Sequence, residues 1–168
     1  MQSLSNKTVL ITGAAGGFGQ SMVWQFLREG CKIILSDLDE AKLRAATRET
    51  LDRHELPLGE AILGYIAADL SSSAGCDALY THSRHITSSI DILVNNAGMS
   101  APGRFLDIPK EQWHSVLHVN LIAPMELTAH VLPSMIKRRS GHIVNVASVA
   151  SYVATPRLTA YCTSKFGL

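Results

Sequence analysis

The sequence has no surplus of charge of either sign: 15 Lys and Arg against 14 Asp and Glu leave a formal net charge of +1 over 168 residues. That balance leaves little with which to hold a phosphate backbone. The basic cluster Lys137-Arg138-Arg139 has the length of a solvated helix end, so no nucleic-acid partner is expected. Cysteine is sparse as well. Cys31, Cys76 and Cys162 are odd in number and far apart with no Cys-x-x-Cys spacing, which suggests neither a disulfide framework nor a zinc site and fits a reducing cytoplasm. Long apolar runs are also missing. The N-terminal MQSLSNKTVLITG offers only a short one beginning after Lys7, too short and wrongly flanked for a signal peptide or a membrane span, so a soluble, cytoplasmic protein is expected. No internal repeat or low-complexity linker interrupts the chain, and its length suits a single domain with its own core.

What the sequence does contain is a regular alternation. Runs rich in Val, Ile and Leu recur at 8–12, 32–36, 61–67, 90–95 and 142–147. They are nearly continuous in apolar character, as strands covered on both faces require. The intervening segments 19–29, 39–53, 74–89 and 111–138 have helical spacing. Strand and helix in turn imply parallel strands joined by right-handed crossovers, an α/β, doubly wound parallel sheet over residues 1–168. Ser72 or Ser73 is expected to cap the third helix. Ligands of such sheets bind beyond the carboxyl ends of the strands, where the strand order reverses.

The first strand runs into VLITGAAGGFGQSM, with Gly13, Gly17 and Gly19 between strand and helix. Glycines there permit a tight turn, let backbone N–H groups approach a pyrophosphate, and aim a helix N-terminus at its charge. A glycine-rich turn alone is a weak signal, but the strand–turn–helix context strengthens it. The second strand ends in IILSDLDEAKL, placing Asp37 where a carboxylate can accept hydrogen bonds from the adenosine ribose and repel a 2′-phosphate. NAD is therefore expected in preference to NADP, and no Arg or Lys at Leu38 or Gly16 stands ready for the phosphate. The competing role for these aspartates is helix capping, which is assigned to Asp39.

The wider spacing Thr12-Gly13-x-x-x-Gly17-x-Gly19, followed in order by ADL with Asp69, NNAG at 95–98, HVNL with Asn120, NVAS with Ser148 and YCTSK with Tyr161 and Lys165, resembles the short-chain dehydrogenase/reductase family over essentially the whole chain. The resemblance implies a Rossmann-like fold and an oxidoreductase that passes a hydride between NAD(H) and a secondary alcohol or ketone. It further implies that Gly13, Gly17, Phe18 and Gly19 line the pyrophosphate, Asp37 the ribose, Asp69 and Leu70 the adenine, and Asn96, Ala97 and Gly98 the middle of the cofactor. Asn95 is read as structural. The implied catalytic tetrad is Asn120, Ser148, Tyr161 and Lys165, with Tyr161 and Lys165 also touching the cofactor.

The residue types suit that chemistry. A tyrosine with a pKa of about 10 is a poor base near neutrality. Tyr161 and Lys165 stand four apart on one helical face, where the ammonium would favour the phenolate and make it a usable general acid or base. Ser148 follows the fifth strand and could bond the substrate oxygen; Ser151 is its rival. Pro124 cannot donate to the carbonyl of Asn120. It either holds that carbonyl open for a proton relay through water, as the resemblance implies, or merely bends the helix. His114 and His118 have metal-ligand spacing, but without an acidic partner they are read as a solvated or interface pair. Trp113 is read as a core anchor and Cys162 as packing.

Relatives of this kind continue further, so the sheet is expected to be truncated after the fifth strand, leaving an apolar edge at 142–147, and the chain is read as a fragment of a homodimer or homotetramer. The alternative is a non-catalytic dinucleotide-binding module. Met99, Val149, Ala150 and Val153 lean towards an apolar substrate without identifying it.

Overall fold

The computed structural model describes residues 3–57 and 59–168. Five strands, β1 (Thr8–Thr12), β2 (Lys32–Asp37), β3 (Ile62–Ala67), β4 (Ile92–Asn95) and β5 (His142–Asn145), form one parallel sheet in the order β3-β2-β1-β4-β5. Helices α1 (Gly17–Arg28), α2 (Glu40–Arg53), α3 (Ser73–Ile86), α4 (Lys110–Leu117), α5 (Ala123–Arg138) and α6 (Thr159–Gly167) connect and extend it. The chain is thus an α/β, Rossmann-like fold. Its order reverses between β1 and β4, which pair directly through Val9↔Ile92 and Ile11↔Val94.

The continuous apolar runs are explained by a core on each side of the sheet. Leu10, Ile34, Ile66 and Leu93 face one way and pack with Cys76 and Leu79 of α3 and Leu127, Val131 and Met135 of α5. Their strand neighbours Val9, Ile11, Ile33, Leu35 and Val94 face the other way, against Val23 of α1 and Leu43 of α2. Each such side chain removed from water contributes about 1.5–3 kcal/mol, so the three central strands hold the framework of the site. β5 differs. Its residues are mostly exposed, Val144 to 43%, and it forms the apolar edge that the sequence leads one to expect.

Two helix starts follow their caps. Asp39 accepts from the Lys42 N–H at 3.0 Å, and Ser72, rather than Ser73, accepts from the Gly75 N–H. The long helix expected over 111–138 is not continuous. A π-helical turn, His118–Ile122, separates α4 from α5, and the Ala123 N–H reaches back to the His118 carbonyl. Pro124 therefore lies in the first turn of α5, directly after the π-helical turn, instead of in the interior of one long α-helix. Pro133 does lie inside α5. No helix among the described residues is long and apolar enough to cross a membrane.

The two chain segments that leave the sheet at the order reversal are fastened by one hydroxyl. Thr12 Oγ1, at the end of β1, donates to the Val94 carbonyl and accepts from the backbone N–H groups of Asn96 and Ala97 at 3.1 and 3.0 Å. Thr12 is 1% exposed, so water cannot replace these bonds. Thr12→Val keeps the shape and leaves the Ala97 N–H without its partner. It is expected to destabilise the fold by about 1–3 kcal/mol. An unchanged urea midpoint for this variant would refute the assignment.

Candidate active site

A cleft of about 740 Å³ opens at the carboxyl ends of the strands, where the order reverses. Gly13, Gly17, Phe18 and Gly19 line one wall and Asp37 another; Asp69 with Leu70 and Asn96, Ala97 and Gly98 complete it. These are the residues expected to meet the cofactor, apart from the two on α6. Leu38 lines it too, and Ala15, Ser36, Ser115 and Val119 join it without any signal in the sequence. Their positions depend on how the strand ends and α4 come together, for which no local motif exists.

The glycine loop is shaped by its neighbours. Gly13 has φ +61°, a left-handed conformation that a side chain disfavours. A Cβ on Gly19 would stand 2.5 Å from the Gly13 carbonyl oxygen, so α1 could not pack so closely against the loop with any other residue there. Around Gly17 there is open space, and α1 begins with no side-chain cap and no acidic residue in its first turn. Its first N–H groups are therefore available to an anion.

Asp37 uses part of its carboxylate locally. Oδ2 accepts from the Ala15 N–H at 2.8 Å and Oδ1 from the Leu38 N–H at 2.8 Å. It thus ties the end of β2 to the glycine loop, and each oxygen keeps a lone pair. The Asp69 carboxyl is held below its ordinary range by hydrogen bonds from Ser71. Asn95 is structural, donating to Asn145 Oδ1 across β4 and β5. Asn96 lines the cleft, yet its amide also holds the glycine loop by donating to the carbonyls of Thr12 and Gly13, each at 2.9 Å.

The four residues of the expected tetrad sit on three elements. Asn120 lies within the π-helical turn, fully buried, with every polar atom of its amide engaged. Oδ1 accepts from the Met99 N–H, while Nδ2 donates to the Met99 carbonyl and to Ser164 Oγ on α6. Ser164 lies between Tyr161 and Lys165 in YCTSK, but nothing in its sequence position shows that it meets Asn120. Lys165 is 6% exposed and donates to the Val146 carbonyl at 2.8 Å. Burial pushes its pKa below the usual lysine value. A Cβ on Gly98 would lie 4.0 Å from Lys165 Nζ, which brings the ammonium to the middle of the cleft wall.

Ser148 ends the β5 segment and caps a short turn, Val149–Ser151. Its Oγ accepts from the Ala150 N–H, so its own proton remains free to donate. The rival Ser151 accepts in the same way, from the Ser148 N–H, so the two hydroxyls are held reciprocally. α6 packs on this turn and on α4. Tyr161 is half-buried in a small apolar cluster with Met99, Trp113 and Val116, and Met99 also lines the cleft. Trp113 is the anchor expected of it. His114 stacks on Trp113 at 4.1 Å, whereas His118 turns to the Leu70 carbonyl, so the two histidines do not act as a pair.

The family model for short chain dehydrogenase matches residues 7–168. The CLA biosynthesis dehydrogenase/reductase of Lactiplantibacillus plantarum is 34% identical over 167 residues, covering 99% of this chain and 56% of the relative's length. Nodulation protein G of Rhizobium meliloti (strain 1021) is 34% identical over 168 residues, covering all of this chain and 65% of its own. Among solved structures, a metagenomic short-chain oxidoreductase in complex with NADP superposes with a TM-score of 0.86 at 32% identity, over 99% of this chain and 72% of that one. The chain thus spans between about half and two thirds of these two curated relatives. With both the sequence pattern and the strand order in agreement over nearly its whole length, this chain belongs to the short chain dehydrogenase family.

Proposed function

We propose that the protein is an oxidoreductase that uses NAD(H) to interconvert a secondary alcohol and a ketone, with Tyr161 as the general acid or base. The observation that carries this reading is the cleft at the order reversal, whose middle wall at Gly98 stands beside the buried ammonium of Lys165. The residues present fit a dinucleotide. The uncapped start of α1 and the open space at Gly17 suit a pyrophosphate, and the spare lone pairs of Asp37 suit ribose hydroxyls. Gly13, Phe18 and Gly19 would flank the phosphates, Asp69 and Leu70 the adenine, and Asn96, Ala97 and Gly98 the segment leading to the reacting ring. Bound NAD supplies the hydride acceptor in oxidation and, as NADH, the donor in reduction.

The chain's own residues manage the proton. In oxidation Tyr161, as phenolate, takes the proton of the substrate hydroxyl while the hydride leaves the same carbinol carbon; in reduction it returns a proton to the oxygen. With one of its three protons given to the Val146 carbonyl, Lys165 keeps two for the cofactor and the relay. Ser148 donates its free proton to the substrate oxygen and fixes its direction. Asn120 acts by position, since its amide bonds both Met99 and α6, and its carbonyl receives no helical donor from Pro124. The apolar surroundings of Met99 and the exposed Val149 and Val153 favour an apolar substrate.

Three measurements test this. Tyr161→Phe should lower turnover of a panel of aliphatic and aromatic methyl ketones with NADH by about 10²–10⁴-fold while leaving NADH affinity within about twofold. NADH binding without any turnover by the parent chain would instead support a binding module. In the second, fluorescence titration should show NADH binding more tightly than NADPH, with Asp37→Ser narrowing the gap; a parent chain that prefers NADPH would overturn the assignment of Asp37.

The third concerns the cost of burying Lys165. Its folded-state pKa lies below the unfolded value of 10.5, so the folded chain holds that proton less tightly. The penalty is complete below the folded-state pKa and is relieved as pH rises towards 10.5. Lys165→Met should therefore raise the thermal midpoint near neutral pH by roughly 2–4 °C while abolishing turnover, and the gain should shrink in alkaline buffer. A fall in the midpoint would show that the ammonium stabilises the fold.

A further inference from the structure

The geometry points to a second, separate site: a zinc-binding triad of Cys76, His118 and Glu126 between α3, the π-helical turn and α5. Each residue offers one ligand atom, and these atoms all lie within 4.8 Å of one another. Ligand atoms around a tetrahedral zinc with bonds of about 2.0–2.3 Å stand roughly 3.3–3.8 Å apart, so small side-chain movements would close the site. The spacing of the cysteines alone suggests no such site, because the three residues come together only when α3 packs beside α5.

Two independent features mark the cluster as more than a chance grouping. The first is His118. Its Nδ1 lies 2.9 Å from the Leu70 carbonyl, which can only accept, so Nδ1 carries the proton and the lone pair is on Nε2. A backbone carbonyl fixing one ring nitrogen while the other ligates is the usual support of a metal-bound histidine. The second is Glu126. Its Oε1 accepts from Ser73 Oγ at 2.6 Å, while Oε2 is shielded from solvent and the carboxylate has, besides Ser73, only the weak donor of the Cys76 thiol beside it. A carboxylate oxygen removed from water and offered only a thiol is poorly compensated, and a cation shared by the thiolate and the carboxylate would remove that cost.

The donor set selects the metal. A thiolate, an imidazole and a carboxylate suit zinc in preference to magnesium or calcium, which take oxygen ligands. Three protein ligands leave a fourth position for a water molecule. Binding would displace the thiol proton of Cys76 to solvent as the Zn–S bond forms. The ion would clamp α3 to the helix that carries Asn120. Through His118 it would also brace Leu70, on the wall of the cleft.

The test uses the whole chain, stripped with chelator and titrated with Co²⁺ as a spectroscopic probe and then with Zn²⁺. One cobalt per chain should bind, with the visible bands of a tetrahedral site and a near-ultraviolet thiolate-to-cobalt charge-transfer band, and zinc should displace it and raise the thermal midpoint. Cys76→Ser should abolish the charge-transfer band, Glu126→Gln should weaken binding at least tenfold, and the double variant Cys31→Ser, Cys162→Ser should keep the band. Absence of a tetrahedral cobalt spectrum, or loss of the band in the double variant and not in Cys76→Ser, would overturn the proposal. Should Cys76→Ser fail to fold, His118→Gln decides, since its ring is only partly buried. An unchanged cobalt affinity there would equally overturn it.

Discussion

The hydroxyl of Thr12 is the point on which the arrangement of the cleft depends. Parallel pairing of β1 with β4 brings two strand ends side by side, and beyond them the chain departs in two directions, into the glycine loop and into the segment from Asn96 to Gly98. Without a tie these loops would part, because parallel strands offer no further ladder past their ends. Thr12 accepts two N–H groups from the second loop, and Asn96 returns two hydrogen bonds to the carbonyls of the first. The walls of the cleft are therefore held to each other before any ligand arrives, so that binding need not first order them.

A second tie carries that rigidity to α6. Asn120 joins Met99, on the cleft, to Ser164, on the helix that bears Tyr161 and Lys165. Ser164 in turn donates to the Tyr161 carbonyl, and Lys165 donates to Val146 just beyond β5. A buried amide with all its groups satisfied specifies one arrangement of three segments, whereas an apolar residue of the same size would allow them to slide.

Much of this was legible in the sequence, and for physical reasons. The strands were readable because burial on both faces leaves continuous apolar runs, and Asp39 and Ser72 announced their helices because orphan N–H groups need a nearby acceptor. The glycine loop was readable because Gly13 and Gly19 satisfy constraints of backbone and close approach that other residues cannot. What escaped was chemistry shared across the fold. Asn96 looks like a ligand contact until its amide is seen on the Thr12 and Gly13 carbonyls, and Cys76, His118 and Glu126 have no sequence spacing that would associate them. Pro124 showed that a hydrogen bond was missing, but not that the helix would insert a residue before it.

That insertion has a structural purpose that follows from helix geometry. One extra residue rotates the face presented by everything after it by about 100°. Before the π-helical turn, Val116 of α4 packs with Ala101 and Ala160 in the small cluster that holds Tyr161. After it, Leu127, Val131 and Met135 of α5 pack against the sheet with Leu10 and Leu93. A straight α-helix would have to present one stripe to both, and one of the two cores would lose its contacts. The π-helical turn lets successive helices serve the small cluster around Tyr161 at one end and the core of the sheet at the other. Asn120 sits where the face changes, which is the position from which one side chain can reach both the cleft and α6.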